Sequence, residues 1–301
     1  MQTPKTMNGL EWGLLLLLSG LWGLAFFFAG VAVREVPPLT IVLARVGLGA
    51  LCLLPVFWWY GYRLPRSLGD WRPFFVMGLL NNVLPFGFLI AGQIFVTGGL
   101  ASIVNAMTPL FTILVMAGFR EEALTAQRVT GVMLGVVGVA ILRGFTDPLS
   151  GPQTLGIGLC LLGTLSYGFA ALWGRRHLSG VPPLKSATCQ LLSSTLIAAV
   201  IVAMIDQPWT LPMPGMPVWF ALGGLAVLGT ALAYIVFFEV LVRAGASNVM
   251  LVTLLVPISA VALGAVFLEE PIRAQEIIGA LVIFSGLLFI DGRVVTWLRR
   301  A

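Results

Sequence analysis

The 301 residues are 59% hydrophobic and only 10% charged, with a mean hydropathy of +1.02. A water-soluble domain carries about 25% charged residues, so this composition excludes a soluble globular protein and requires lipid over most of the surface. The formal charge of +5 resides in short loops between apolar runs, which points to membrane topology and not to nucleic acid.

A spanning helix needs about 20 mostly apolar residues. Ten segments meet that requirement: 10–33, 38–60, 72–95, 98–119, 126–143, 154–176, 184–205, 217–241, 247–268 and 275–292. The first is too long for the core of a signal peptide and is expected to remain as a membrane helix. Turns such as Pro37-Pro38, Gly98-Gly99 and Glu121-Glu122 separate the segments. Glycines inside them, as at Gly131 and Gly135, suit close helix packing. Cys52, Cys160 and Cys189 all fall in apolar segments, and His177 is the single histidine. Neither a disulfide framework nor a metal site is expected, and no cofactor is called for.

The chain contains one pattern twice. Phe119-Arg120-Glu121-Glu122, Ala126-Gln127, Gly131, Gly138 and Gly144 return 148 residues later as Phe267-Leu268-Glu269-Glu270, Ala274-Gln275, Gly279, Gly286 and Gly292. Pro109 finds Pro257 at the same offset. Val36-Pro37-Pro38-Leu39 and Gly23 return 145 residues later as Val181-Pro182-Pro183-Leu184 and Gly168. Two homologous halves follow, 1–145 and 146–301. With the N-terminus in the cytoplasm, inside loops hold Lys5, Arg63, Arg66, Arg72, Arg120, Arg128, Arg175, Arg176, Lys185, Arg243, Arg293, Arg299 and Arg300, against only Arg34, Arg143 and Arg273 outside. This positive-inside pattern places both termini in the cytoplasm. Five helices per half make the second half enter the membrane from the opposite side. The expected fold is therefore an all-α polytopic membrane protein of ten transmembrane helices in two five-helix inverted-topology repeats, an architecture that binds solutes near the midplane.

The pattern resembles the drug/metabolite transporter superfamily, specifically its EamA-type branch. The signatures are the Pro-Leu-Phe run at 109–111, Phe-x-Glu-Glu with Ala-Gln and Gly at 119–131, and their copies at 256–258 and 267–279. Arg45 matches a recurrent family arginine. The whole chain is most similar to bacterial exporters of aromatic amino acids. The resemblance implies an inner-membrane secondary transporter that exports aromatic amino acids or related small metabolites by alternating access, working as a monomer or homodimer in the lipid bilayer. The alternatives are export of other amino acids or hydrophobic drugs, with a channel or membrane enzyme less in keeping with the residues.

Polar groups in hydrocarbon are costly and need a reason. Arg45 lies about 12 Å into its helix at 1.5 Å per residue. It either attracts a substrate carboxylate or is satisfied by neighbouring carbonyls; its counterpart is Gln190. Asn81 and Asn82, opposite Gly229 and Thr230, and Asn105, opposite Thr253, could meet a zwitterion or bond between helices. Trp22 and Tyr167 are equivalent mid-depth aromatics that could bracket a flat ligand, with Phe86 and Tyr234 joining them. Pro109 and Pro257 are expected to bend helices four and nine as hinges. Glu239 is a further carboxylate near a helix end. Paired catalytic carboxylates, metal ligands and a nucleophile–base set are lacking in the spans, so an enzyme is not expected.

Overall fold

The computed structural model describes residues 7–144 and 151–291. The junction at 145, both termini, and Lys5, Gly292, Arg293, Trp297, Arg299 and Arg300 lie outside the described residues. The ten spans are helices: α1 Gly9–Ala32, α2 Pro38–Trp59, α3 Leu68–Gly92, α4 Gly98–Gly118, α5 Ala126–Arg143, α6 Pro152–His177, α7 Pro183–Met204 and α8 Met216–Ala244, then α9 Val252–Phe267 and α10 Ala274–Asp291. A short helical turn, Ala246–Val249, precedes α9.

Local chemistry sets the helix ends. Asn8 and Glu11 close α1 with a capping box, at 2.8 and 3.1 Å, and Ser67 and Asp70 do the same for α3. These boxes satisfy backbone donors that a helix start leaves free. Thr97 and Thr125 cap α4 and α5 with their hydroxyls. Proline at the first position opens α2, α6 and α7, where its missing N–H costs nothing. Gly144 and Gly245 stop α5 and α8 at φ 74° and 82°.

The two halves interlock. Helix α5 packs along α10, and α2 along α7; α1 lies on α9 and α8 as α6 lies on α4 and α3. Exchanging the halves maps α5–α10 and α2–α7 onto themselves, and α1–α9 and α1–α8 onto α6–α4 and α6–α3. The α5–α10 seam is built from the repeated glycines. A Cβ on Gly131 would lie 2.7 Å from the Gly286 carbonyl, and one on Gly286 would lie 2.7 Å from the Gly131 carbonyl. Gly138 and Gly279 face each other in the same way at 2.9 Å. Outward faces expose Leu16, Leu51, Val136, Val200 and Phe220, a surface that only lipid tolerates.

Two helices widen at equivalent places. Helix α3 adopts π geometry over Leu79–Val83 and α8 over Val227–Leu232. In α3 Pro85 cannot donate to the preceding turn, whereas the matching position of α8 is Ala233. The Leu80 carbonyl accepts instead from Ser166 Oγ of α6, at 2.7 Å. Helix α4 breaks at Ala106–Met107, just before Pro109. In the other half the break falls at Met250–Leu251, and Pro257 sits inside continuous helix. The break associated with each proline therefore differs: it adjoins Pro109 but precedes Pro257 by almost two turns. Glu239 forms an ion pair with Arg243 one turn on, both half-exposed.

Candidate functional site

A cavity of about 600 Å³ lies between the halves. Among the described residues Arg45 supplies the only charge on its wall, which otherwise carries aromatic and aliphatic side chains and neutral polar groups. The π segments build the polar centre. Each turns its groups toward the second helix of the other half. From α2, Arg45 Nε donates to Thr230 Oγ1 at 3.0 Å, and Nη2 lies 3.4 Å from the Gly229 carbonyl. At the equivalent place Asn81 Nδ2 donates to Gln190 Oε1 on α7, at 3.3 Å. The repeat thus uses one scaffold twice, with arginine on one side and glutamine on the other.

The Arg45 guanidinium lies over the Phe86 ring, 3.6 Å from its centroid. Such stacking holds a cation without a counter-ion and is worth about 2 kcal/mol when desolvated. Among the described residues Nη1 has no hydrogen-bond partner. A ligand carboxylate reaching it would meet a planar donor fork already oriented by Thr230 and Phe86.

Of the residues expected to form a site, Trp22, Arg45, Asn81, Phe86, Asn105, Tyr167, Thr230 and Tyr234 all line this cavity. Asn82 does not. It is fully buried, donates from Nδ2 to Ser194 Oγ at 2.9 Å and accepts from the Tyr234 hydroxyl at 3.2 Å. Its amide braces the wall and holds the Tyr234 ring in place. Trp22 and Tyr167, expected to bracket a flat ligand, both line the cavity, and Trp22 also packs on Phe237, with centroids 5.7 Å apart. Phe237 follows Tyr234 by three positions, and that helical spacing was the available signal for it. Gln93, Ser102, Gln190 and Thr253 also line the cavity. Asn105 Oδ1 is a buried acceptor without a partner, so it can take a donor from a ligand. Pro109 and Pro257 stand outside the wall. Among the described residues the wall holds no Asp, Glu, His or Cys that could ligate a metal.

The cavity is not symmetric along its length. It reaches Leu178, Val181 and Ser186 at the α6–α7 connection and Met250 before α9. That face also carries ion pairs of Arg176 with Glu121 at 2.7 Å and of Arg175 with Glu122 at 3.2 Å. The opposite face is closed by carboxylates on backbone N–H groups. Glu35 accepts from Gly215 at 2.7 Å, Asp206 from Thr40 at 2.8 Å, and Glu270 from Gly98 at 3.1 Å.

Comparisons with known proteins agree with this architecture. The chain is 26% identical to the probable amino-acid metabolite efflux pump of Escherichia coli K12, over 91% of this chain and 92% of that protein. It is 26% identical to the uncharacterized transporter YvbV of Bacillus subtilis, over 96% and 93%. Protein PecM of Dickeya dadantii matches at 25% identity over 90% and 88%. A crystal structure shares the fold with a TM-score of 0.65, at 16% identity over 98% of this chain and 100% of the other. Residues 10–144 and 154–291 each match the model of the EamA-like transporter family, and so the chain, a multi-pass membrane transporter and not an enzyme, belongs to that family.

Proposed function

We propose that this transporter exports aromatic amino acids or related small carboxylate metabolites across a bacterial inner membrane by alternating access. The observation that carries this reading is the lone Arg45 at mid-depth, ringed by Phe86, Tyr167 and Tyr234, with Trp22 and Phe237 on the same wall. A buried cation with no acidic partner is a costly arrangement that an anionic ligand group relieves. Aromatic walls favour a flat ligand body, and Asn105 Oδ1 offers the acceptor that an α-ammonium requires.

Loop charges supply the orientation that the export reading uses. The face onto which the cavity opens carries Arg120, Arg128, Arg175, Arg176 and Lys185, the cytoplasmic signature. A cavity open there loads from inside, as an exporter must. The halves, 1–145 and 146–301, rock about the midplane site, with the breaks near Pro109 and before Pro257 letting α4 and α9 flex.

The test is uptake of radiolabelled solutes into proteoliposomes at several pH gradients. Phenylalanine, tyrosine and tryptophan should move faster than alanine or lysine. Equal rates for all, or none above empty vesicles, would reject the aromatic reading. Single cysteines at Arg66 and Pro214, placed in a cysteine-free chain, check orientation. Only the cysteine at 214 should react with an impermeant reagent added to intact cells, and the reverse would reject this orientation and the inward-facing reading of the cavity.

A further inference from the structure

The two Phe-x-Glu-Glu turns match in sequence, yet the structure uses them differently. After α9, Glu270 Oε1 accepts from Gly98 N at 3.1 Å and Oε2 lies 3.5 Å from Gly99 N. Its repeat mate Glu122, on the opposite face, takes Arg128 at 2.8 Å and Arg175 at 3.2 Å. The backbones differ as well. Positive φ falls on Glu269 (55°) in one turn and on Arg120 (60°) in the other, one position apart in the repeat register.

Helix α4 tells which end is shut. Its first segment, Gly98–Asn105, packs on α1 and α9 as well as on α6, whereas its second, Thr108–Gly118, packs on α6 and α5. The wall made of α1, α8 and α9 therefore meets the wall made of α3, α4 and α6 at the Gly98 end and parts from it at the Thr108 end. Glycine permits the meeting: a Cβ on Gly99 would stand 2.9 Å from Val261 Cγ2, and one on Gly98 would stand 3.3 Å from the Phe26 carbonyl oxygen. The other bonds at this face act elsewhere. Glu35 with Gly215 stays within one wall, and Asp206 with Thr40 joins α7 to α2. Among the described residues, Glu270 is the carboxylate that bonds from one wall to the other.

We infer that Glu270 is the latch of the outer gate, a residue of the transport cycle that holds the α9 wall to the start of α4 and must let go before solute leaves outward. The inference rests on the reading of the central cavity as the transport path. Two backbone donors at the start of a helix bind a carboxylate well in a closed, dry mouth. Once water enters, it can replace both partners, so the bond is strong when shut and cheap to exchange when open. A second cavity of about 350 Å³ adjoins Glu270 and is walled also by Arg34, Gln93 and Gly98. It gives the released carboxylate room and a cation, Arg34, to turn toward. Gln93 lines both cavities.

The experiment reads accessibility and does not require the solute to be known. Asn105→Cys places a thiol on the central wall in a full-length chain whose Cys52, Cys160 and Cys189 are replaced by alanine. Right-side-out vesicles are treated with a charged, membrane-impermeant thiol reagent. Glu270→Ala should raise the labelling rate about ten-fold, the low end of what a charge-assisted hydrogen bond contributes. Glu270→Gln, which keeps an acceptor oxygen and loses the charge, should raise it less. Gly99→Val keeps the carboxylate but wedges α4 from α9, and should also raise it. Unchanged labelling in the Glu270 variants and in Gly99→Val, at normal membrane abundance, overturns the latch. If Glu270→Ala does not accumulate, the glutamine and valine variants decide by the same measurement. Transport is read separately in the chain with Asn105 and Glu270 intact: faster labelling of the variants beside a native chain that moves no solute would reject the export reading and keep the latch; unchanged labelling beside intact transport would do the opposite.

Discussion

Replacing Arg45 by glutamine removes the charge from the cavity and keeps most of the side-chain length, so it isolates the electrostatic part of solute recognition. In the native protein Nε is held by Thr230 at 3.0 Å and the guanidinium lies 3.6 Å over Phe86, which leaves Nη1 for a ligand. A carboxylate about 4 Å away in a medium of effective dielectric about 20 gains about 4 kcal/mol of Coulomb energy. Desolvation of the carboxylate offsets part of this, and the net worth of a charge-assisted hydrogen bond is about 1.5–3 kcal/mol. At 1.4 kcal/mol per decade that is roughly 10- to 150-fold in affinity. The assay compares phenylalanine with its carboxamide, binding to purified protein in nanodiscs by calorimetry. Arg45→Gln should weaken the carboxylate about thirty-fold and the carboxamide by less than about three-fold. Equal losses for both ligands would mean that Arg45 only braces Gly229 and Thr230, and the carboxylate reading would fall.

Trp22→Ala removes a ring that packs on Phe237 at 5.7 Å; aromatic solutes should bind about ten-fold more weakly, from lost stacking and area, while alanine transport changes little. Competition binding with phenylalanine and alanine measures the difference. Gly131→Val forces a branched side chain toward the Gly286 carbonyl, 2.7 Å from the position of a Cβ, and should cost about 1–3 kcal/mol of overpacking; the thermal midpoint in detergent should fall, while Gly13→Val, with open space around it, should leave it in place. Pro109→Ala should lower turnover more than affinity, because the break at Ala106–Met107 adjoins that proline, and Pro257→Ala should have the weaker effect. Unaltered turnover in both would remove the hinge role.

Much of the architecture is legible in the residues alone. Composition demands lipid, the apolar runs mark ten spans, and the repeated Glu-Glu, Gly131 and Pro109 patterns announce a duplicated chain. These features are local or periodic, so one strand of sequence contains them whole. The mid-depth polar and aromatic residues were also visible, because hydrocarbon makes each of them an exception. Eight of the singled-out side chains do meet at one cavity, since their costs are reduced only where they share a water-accessible or ligand-accessible space.

Tertiary structure decided the rest. Asn82 is indistinguishable from Asn81 in sequence, yet one position of rotation along the π segment Leu79–Val83 turns it from the cavity toward Ser194 and Tyr234. Trp22 takes Phe237 as its ring partner because α1 packs beside α8, a contact more than 200 positions apart in the chain. The different uses of Glu122 and Glu270 have no sequence signal at all. Matching motifs in an inverted repeat fix which groups can bond, but which one closes a gate depends on the side at which the walls meet. That choice belongs to the conformation of the whole bundle, where small differences among long-range contacts select one of two nearly equivalent arrangements.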